Sequence, residues 1–249
     1  MNNIGNDQPH SLFISDLHLC ASRPAITAAF LNFLKTQAKQ AEKLFILGDL
    51  FEYWAGDDDL NHPDHQNINQ ALKALSQNTA IYFIHGNRDF LIGETFAEAT
   101  GATILADPSA LNLYGHSVLL SHGDALCTDD VEYQAFKKLV RSQDWQTKFL
   151  GQPLSQRKAQ IEELRKKSEE EKSGKPYKIM DINAEALSKL LKAFNYPAIF
   201  IHGHTHRPNV HKLHLDGKDC TRIVLGDWYD QGSCLRLDDS GFRNIPIQF

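Results

Sequence analysis

The sequence predicts an α/β protein folded as a four-layer α/β/β/α sandwich with a helical insertion. Three observations indicate this class. Strand and helix patterns alternate through the first half of the 249 residues, as in a sheet covered by helices. Short strand patterns with few helices between them dominate the last third and predict a second sheet packed face to face with the first. Between these two parts, residues 131–178 show a helical pattern of their own.

The first half contains three strand patterns, each followed by a helix pattern. Short apolar runs rich in Ile, Leu and Phe are typical of buried strands, and apolar residues at helical spacing predict the helices. The predicted strands are Leu12–Ile14, Leu44–Leu47 and Ile81–Ile84, and the predicted helices are Ala25–Gln37, Ile68–Leu75 and Phe90–Ala99, the last ended by Gly101. This order favours a sheet in which successive strands lie side by side.

The second sheet is predicted from short strands that follow one another with few helices. They are Val118–Leu120, Ala198–Ile201, Val210–Leu215, Arg222–Leu225, Cys234–Leu237 and Ile245–Phe249. The core of the fold is therefore expected to combine residues 1–130 and 179–249, with residues 131–178 as an insertion segment.

The insertion segment differs from the core in charge. It holds 12 of the 26 Lys and Arg residues and 7 of the 31 Asp and Glu residues. Its formal charge is therefore +5, while the rest of the chain carries −10. This separation indicates a basic cap over an acidic site. The alternative is a solvated pair of charged helices, which is what charge runs usually are.

Composition limits the classes of function. With 42% hydrophobic residues the chain can bury one sizeable core. Its net charge of −5 argues against nucleic acid as a partner. No run approaches the ~18 apolar residues that span a bilayer, so any membrane contact is expected at the surface. The polar start of the chain shows no signal sequence, and the four cysteines are expected to be reduced thiols on the cytoplasmic side.

Five short segments carry the chemistry. Each follows an apolar strand pattern and ends in side chains that can bind a metal ion. The segments are Asp16-Leu17-His18, Gly48-Asp49, Gly86-Asn87-Arg88-Asp89, His122-Gly123-Asp124 and Gly203-His204-Thr205-His206. Because loops at the carboxyl ends of neighbouring strands converge, these side chains are expected to form one site.

The ligand types favour a transition metal. Carboxylate oxygens together with imidazole nitrogens suit Mn²⁺, Fe²⁺ or Zn²⁺. Asp16 and His18 are two residues apart, so an extended backbone would point both to one face. Seven ligands exceed what one ion needs and suit two, roughly 3.5–4 Å apart, and Asp49 is the expected bridge.

Each residue also has an ordinary explanation. Asp49 alone could cap a helix, Asn87 alone could belong to a turn, and His122 alone could be a hydrogen-bonded structural histidine. Five such coincidences in this order, each after a strand, are improbable together.

The ordered motifs D-x-H, G-D, G-N-R-D, H-G-D and G-H-T-H resemble those of the calcineurin-like metallophosphoesterase superfamily. The resemblance covers about Phe13 to His206. It implies the four-layer sandwich and a dinuclear metal centre. By this resemblance, one metal ion is bound by Asp16, His18, Asp49 and His206. The other is bound by Asp49, Asn87, His122 and His204.

A closer resemblance, to the UDP-2,3-diacylglucosamine pyrophosphatase family, runs nearly end to end. It includes Cys127-Thr128-Asp129-Asp130 and Ile179-Met180-Asp181-Ile182-Asn183. It implies hydrolysis of UDP-2,3-diacylglucosamine to UMP and 2,3-diacylglucosamine 1-phosphate, in lipid A synthesis. By the same resemblance, water attacks the α-phosphorus. The resemblance also implies two Mn²⁺ ions and a peripheral position on the cytoplasmic face of the bacterial inner membrane.

The same resemblance assigns roles to individual residues. The catalytic set is Asp49, Asn87, Arg88 and His122, and the substrate-binding set is Asn87, Arg88, Asp130, Ser168, Lys172, Lys175 and His204. Lys172 stands where relatives can carry asparagine. Without the resemblance, Ser168 and Lys172 would be interpreted as solvated helix surface.

Arg88 follows Asn87 where many phosphomonoesterases of the superfamily carry a histidine that can protonate the leaving group. Arginine cannot act as an acid near neutral pH, but it can bind phosphate through two hydrogen bonds. A sugar phosphate leaves without protonation, so Arg88 favours a pyrophosphate substrate. Two alternatives stay open: another two-metal nucleotide phosphodiesterase, and a binding protein without catalytic activity.

Overall fold

The computed structural model describes residues 8–174, 181–229 and 232–247, and side chains within helix α6 up to residue 166. The helices are α1 (Pro24–Lys35), α2 (Pro63–Leu75), α3 (Glu94–Thr100), α4 (Val131–Val140), α5 (Gln143–Leu150), α6 (Leu154–Gly174) and α7 (Ala184–Ala193). The strands are β1 (Ser11–Ile14), β2 (Lys43–Ile46), β3 (Ala80–Phe83), β4 (Ala102–Ile104), β5 (Ser109–Leu113), β6 (His116–Ser121), β7 (Ile199–His202), β8 (Asn209–Leu215), β9 (Lys218–Val224), β10 (Gly232–Asp238) and β11 (Gly241–Ile247).

Two sheets form the centre of the molecule. The first has the order β11-β10-β1-β2-β3-β4, and the second β5-β6-β7-β9-β8. Strands β1 to β4 run parallel to one another, as do β6, β7 and β9. The carboxyl ends of β1, β2 and β3 therefore lie at one edge of the first sheet, and those of β6 and β7 at one edge of the second.

Alternating side chains divide each strand between two hydrophobic layers. Phe13 points between the sheets, where it stacks on Phe45 with ring centroids 4.9 Å apart, and Phe45 stacks on Tyr82 at 4.8 Å. Leu12 and Ile14 point to the opposite face and join the core formed with helices α1 to α3.

The outer face of the second sheet packs against helix α7. Leu119 and Phe200 from the sheet share a cluster with Leu187 and Leu191 from the helix. Helices thus cover both outer faces of two stacked sheets, which confirms the predicted α/β/β/α order. The expectation that Cys234–Leu237 and Ile245–Phe249 belong to the second sheet was wrong, because β10 pairs with β1 and β11 extends the first sheet.

The predicted helix over Phe90–Ala99 was wrong at its start, because α3 begins at Glu94. The carboxylate of Asp57 accepts hydrogen bonds from the backbone N–H groups of Gly93 and Phe96, both at 3.0 Å, and so supplies acceptors at the helix start. The expected end is correct, since Gly101 has a φ of 74°. Strands β4 and β5 were not predicted, because their short runs are only half-buried.

Five cations of the insertion segment contact the core, whereas Lys138, Lys148 and Lys166 are exposed. Lys137 lies 2.8 Å from Asp124, Lys158 lies 2.7 Å from Asp59, and Arg165 lies 2.8 Å from Glu52. Arg141 donates to the carbonyl oxygen of Gly86 at 2.8 Å, and Arg157 pairs with Asp58. Much of the charge separation in the sequence is therefore explained by ion pairs that dock helices α4 to α6 on the core.

Replacing Arg157 with alanine is expected to lower the free energy of unfolding by about 2 kcal/mol. The side chain is 2% exposed and donates to Ala55, Gln152 and Asp58, and a hydrogen bond involving a charged group contributes about 1.5–3 kcal/mol. Urea denaturation at a fixed metal concentration measures the change. Lys166→Ala is the control, because its exposed pair with Glu162 should matter by less than about 0.5 kcal/mol. Equal losses in both variants would contradict the docking role.

Candidate metal centre

Five loops bring the predicted ligands together at the carboxyl ends of β1, β2, β3, β6 and β7. Backbone hydrogen bonds fasten neighbouring loops to one another. The N–H of Asp16 donates to Gly48 at 3.1 Å, the N–H of His18 donates to Asp49 at 2.9 Å, and the N–H of Gly203 donates to the carbonyl of His122 at 2.9 Å. The edges of both sheets thus contribute to one site.

One group of ligand atoms comes from Asp16, His18 and His206. The Nε2 atoms of the two histidines are 3.4 Å apart, and His206 Nε2 lies 3.3 Å from Asp16 Oδ1. One ligand atom from each of the three residues falls within 4.8 Å of the others. This is the set predicted for the first metal ion, apart from the bridge.

A second group comes from Asn87, His122 and His204. The Asn87 Oδ1 atom lies 3.1 Å from His122 Nε2 and 2.9 Å from His204 Nδ1. Asp49 lies between the two groups, because its Oδ2 atom is 3.7 Å from His18 Nε2 and 3.8 Å from His122 Nε2. The arrangement suits a bridging carboxylate. Asp16 also shares a cluster with Asp49 and His122.

Five of the seven predicted ligands have a left-handed backbone. The φ angles of Asp16, His18, Asp49, His204 and His206 lie between 50° and 67°. The expectation that Asp16 and His18 share a face on an extended segment was therefore wrong. Their side chains converge because each backbone turns sharply, a conformation that costs a non-glycine residue free energy and clusters at functional sites.

Gly86 leaves room for the central carboxylate. A Cβ atom at this position would collide with the backbone nitrogen and the Oδ1 atom of Asp49. Gly48 is equally confined, since a Cβ there would meet the Gly86 backbone at 2.5 Å. The two loops that carry Asp49 and Asn87 can approach this closely only with glycine.

Gly86→Ala is expected to weaken Mn²⁺ binding by more than about tenfold, because the new methyl group displaces the Asp49 carboxylate, and changes around metal ligands cost about 10- to 100-fold in affinity. Calorimetric titration of metal-free protein measures the effect. The control is Gly151→Ala, an exposed position where a Cβ would come no closer than 3.2 Å to its neighbours. Similar affinities in both variants would show that the loop contact is not critical.

The electrostatics of the site attract cations. Burial lowers the pKa of His122, but the carboxylates of Asp49, Asp124 and Asp16 outweigh burial and raise the pKa to about 9. Burial likewise lowers the pKa of His206, and hydrogen bonds to Asp16 and Asp227 raise it to about 10. The raised pKa values of the buried His122 and the partly buried His206 indicate a negative potential at these two rings, whereas burial lowers the pKa of His18 and of His204.

The donor set fits divalent transition metals. Imidazole nitrogens and carboxylate or amide oxygens point at shared positions, and the groups behind them fix their orientation. His122 Nδ1 donates to the carbonyl oxygen of Leu47 at 2.8 Å, which leaves Nε2 to face the site. His206 Nδ1 lies 3.0 Å from Asp227. The backbone N–H of Arg88 donates to Asp49 Oδ1 at 2.8 Å, which leaves the Oδ2 atom of Asp49 facing the site.

A cavity of about 750 Å³ opens from this site towards the insertion segment. Arg88, Asp130 and His204 line it. Apolar side chains from helices α4 to α6 line it as well: Phe136, Val140, Trp145, Phe149, Ile161 and Leu164. The side chains of Ser168 and Lys172 and the whole of Lys175 lie outside the described residues, so their predicted substrate contacts stay predictions.

Comparison with known proteins identifies the family. A family model described as calcineurin-like phosphoesterase matches residues 10–208. A UDP-2,3-diacylglucosamine hydrolase from Aromatoleum aromaticum is 51% identical over 232 residues, which cover 93% of this chain and 94% of that protein. The chain belongs to this family of calcineurin-like phosphoesterases. The similarly named hydrolase of Aeromonas hydrophila is 49% identical, over 90% of this chain and 93% of that protein. The hydrolase of Escherichia coli (strain IAI39) is also 49% identical, over 95% of this chain and 99% of that protein.

Membership of the UDP-2,3-diacylglucosamine hydrolase family confirms the resemblance found in the motifs, and the chain is a hydrolase. Several residues of the site were not assigned roles from the sequence. Asp89 is fully buried and accepts from the N–H groups of Asp49, Leu50 and Gly86 at 3.2, 2.7 and 2.9 Å. It therefore joins the two central loops, and its place in G-N-R-D was the available signal.

Asp124 and Asp227 also support the site without belonging to the predicted ligand set. Asp124 is buried and accepts from the hydroxyl of Tyr133 at 2.5 Å as well as from Lys137. Tyr133 in turn stacks on His204, with ring centroids 6.0 Å apart. The H-G-D motif pointed to Asp124, whereas nothing in the sequence linked Asp227 to His206.

Proposed function

We propose that this chain hydrolyses the pyrophosphate bond of UDP-2,3-diacylglucosamine and releases UMP and 2,3-diacylglucosamine 1-phosphate. The observation that supports the proposal is that the predicted metal ligands lie together and face one cavity with an apolar wall. We call this group of ligands the cage; its members are Asp16, His18, Asp49, Asn87, His122, His204 and His206. A diphosphate beside the cage and acyl chains against helices α4 to α6 match this arrangement. The names of the relatives support the same substrate.

Two divalent cations, when bound, would generate a nucleophile from water at neutral pH and stabilise the charge that develops on phosphorus. Asp16, His18 and His206 would hold one of them, Asn87, His122 and His204 the other, and Asp49 both. We propose Mn²⁺ as the native ion, as the resemblance to the pyrophosphatase family implies, and the mixed oxygen and imidazole donors, which also suit Fe²⁺ and Zn²⁺, are compatible with it. Elemental analysis of purified protein tests this assignment.

Arg88 is proposed to bind the diphosphate. Its guanidinium group lines the cavity beside the cage, and its side chain is 16% exposed. Its fork of N–H donors matches phosphate oxygens, and this contact strengthens as negative charge builds up during the reaction. Because arginine keeps its protons, the sugar phosphate has to leave as an anion, which a phosphate can do.

The acyl chains are proposed to lie against the apolar wall. Trp145 stacks on Phe149 with ring centroids 4.6 Å apart, and Phe90 lies 6.3 Å from Trp145. These rings form an apolar part of the cavity wall, and the guanidinium group of Arg141 lies over the Phe90 ring at 5.2 Å. Each buried methylene contributes about 0.8 kcal/mol, so two chains can supply much of the binding energy.

The diacylated UDP-sugar is expected to be hydrolysed with a kcat/KM at least about a hundredfold above that of UDP-glucosamine, because only about four buried methylenes at 0.8 kcal/mol each already account for that ratio. Release of UMP in the presence of Mn²⁺ measures both rates. Phe136→Ala serves as a matched variant, since this side chain lines the cavity, is 41% exposed and is not part of the buried core, so its loss should reduce the rate on the acylated substrate selectively. Equal rates on both substrates would favour a general nucleotide phosphodiesterase instead.

The protein is also proposed to attach peripherally to the inner membrane. No helix among the described residues is long and apolar enough to cross a bilayer. The insertion segment exposes Val131, Leu139 and Leu150, at 72%, 56% and 42% of their surface, together with Lys138 and Lys148. Apolar side chains beside lysines suit an anionic lipid surface. Co-sedimentation with vesicles that contain anionic lipid tests the attachment, and recovery only in the supernatant would contradict it.

A further inference from the structure

One buried carboxylate lies between the metal centre and the insertion segment. Glu52 has a side chain that is 8% exposed, and its oxygens meet cations from three separate parts of the chain. Arg23, just before α1, pairs with it directly. Arg165 of α6 lies at 2.8 Å and Arg88 of the G-N-R-D loop at 3.9 Å. A single acid thus neutralises part of the charge of three guanidinium groups.

Glu52 also faces a predicted metal ligand. The segment that follows β2 runs beside the segment that follows β1, and the N–H of Glu52 donates to Leu19 at 3.1 Å. This contact sets Glu52 Oε2 at 3.8 Å from His18 Nδ1. Among the described residues, that buried nitrogen has no hydrogen-bond partner.

The two nitrogens of His18 therefore face different groups. Nε2 points at Asp49 and His206 inside the cage, whereas Nδ1 points at Glu52. Histidines that bind metals commonly have a carboxylate behind the other nitrogen, which fixes the ring and increases its basicity. Glu52 stands where that carboxylate is needed.

We propose that Glu52 is a positioning residue that couples the metal centre to docking of helix α6. Through His18 it orients a metal ligand, and through Arg165 it fastens the insertion segment over the cavity. Without its charge, Arg23, Arg88 and Arg165 repel one another in a largely buried place, and α6 loosens. The inference rests on the proposed metal centre but does not depend on which substrate is hydrolysed.

The coupling has a measurable consequence in the absence of substrate. When Mn²⁺ binds, His18 becomes fixed, and Glu52 is then held in the position from which it pairs with Arg165. Amide hydrogens of residues 154–166 are therefore expected to exchange more slowly in the metal-loaded protein than in the metal-free protein. Hydrogen–deuterium exchange with mass spectrometry measures this difference.

The test variant is Glu52→Gln, which keeps the shape of the side chain and removes its charge. We expect Mn²⁺ affinity, measured by calorimetric titration of metal-free protein, to fall about 10- to 100-fold. We also expect that Mn²⁺ no longer slows exchange over residues 154–166. An affinity within about twofold of wild type, or an unchanged exchange response to Mn²⁺, would overturn the inference.

Two further variants separate the roles. Asp59→Asn removes a comparable ion pair between the core and α6, the pair with Lys158 at 2.7 Å. Because Asp59 is not a predicted metal ligand, this variant should keep its Mn²⁺ affinity within about twofold of wild type. Arg165→Gln removes the ion pair between Glu52 and the insertion segment and leaves Glu52 beside His18. It should abolish the exchange response while changing Mn²⁺ affinity less than about threefold. If Glu52→Gln does not fold, a preserved exchange response in Arg165→Gln still overturns the inference.

The wild-type titration distinguishes this inference from the proposal beneath it. If the wild-type protein binds no Mn²⁺, both the proposed metal centre and the coupling are wrong. If the wild-type protein and Glu52→Gln bind Mn²⁺ equally tightly, only the coupling is wrong.

Discussion

Asp49→Ala is expected to lower kcat by at least about a thousandfold. The Oδ2 atom of Asp49 lies 3.7 Å from His18 and 3.8 Å from His122, between the two ligand groups. Loss of this carboxylate should remove the bridge on which a two-metal mechanism depends. Such stabilisation is worth several kcal/mol, and each ~1.4 kcal/mol is tenfold in rate. Steady-state kinetics at saturating Mn²⁺ measure the loss.

Asp239→Ala is the matched control for Asp49→Ala, since Asp239 is an exposed aspartate. It should keep the wild-type rate and metal content. If Asp49→Ala retained more than about a tenth of the wild-type rate, the two-metal mechanism would fail. Thermal unfolding of both variants, measured without metal, separates a catalytic loss from a loss of folded protein.

Arg88→Ala is expected to lower kcat by about a hundredfold while leaving the metal content unchanged. The guanidinium group lines the cavity and lies outside the ligand groups, so its loss removes charge stabilisation without opening the cage. Removing one preorganised donor of this kind typically costs about 10²–10³ in rate. Kinetics with UDP-2,3-diacylglucosamine and elemental analysis of the same preparation measure the two effects.

Arg88→Lys provides the comparison for Arg88→Ala. Lysine keeps the positive charge but cannot form two parallel hydrogen bonds, so an intermediate rate is expected. Loss of metal from Arg88→Ala would mean that Arg88 supports the cage and that its assignment to the substrate is wrong.

The sequence predicted the parts of the fold that depend on local patterns. Buried strands such as β1 and β2 are short apolar runs, and the ligands follow them directly in D-x-H and G-D motifs. The start of α3 could not be predicted in this way. It depends on Asp57, which lies 36 residues before Gly93 in the sequence and reaches it only in the folded chain.

The ligand set was predictable for a similar reason. Each ligand sits at the end of a strand, and parallel strands place their carboxyl ends together. The supporting carboxylates were harder to predict, because Glu52 and Asp227 acquire their partners through loops that meet only in three dimensions. The left-handed backbones of Asp16 and His18 were missed, since a two-residue spacing alone suggests an extended segment.

The charge pattern of the insertion segment was noticed in the sequence, but its partners were not. The run of three aspartates from Asp57 to Asp59 shows why. Asp57 binds the start of α3, Asp58 pairs with Arg157, and Asp59 pairs with Lys158. A run of like charges is usually solvated, whereas here Asp57 meets donors at the start of α3, and Asp58 and Asp59 meet neighbouring cations of α6.

These inward-facing ion pairs mean that helices α4 to α6 cannot be treated as a removable module. Trimming residues 131–174 would leave Asp59 and Asp124 without the lysines that pair with them, and Glu52 without one of its three arginines. A shortened chain intended as a minimal catalyst would have to replace Asp59 and Asp124 with neutral residues as well, and to keep Glu52 beside His18. Grafting the helices onto a related scaffold would require the same acids at the matching positions.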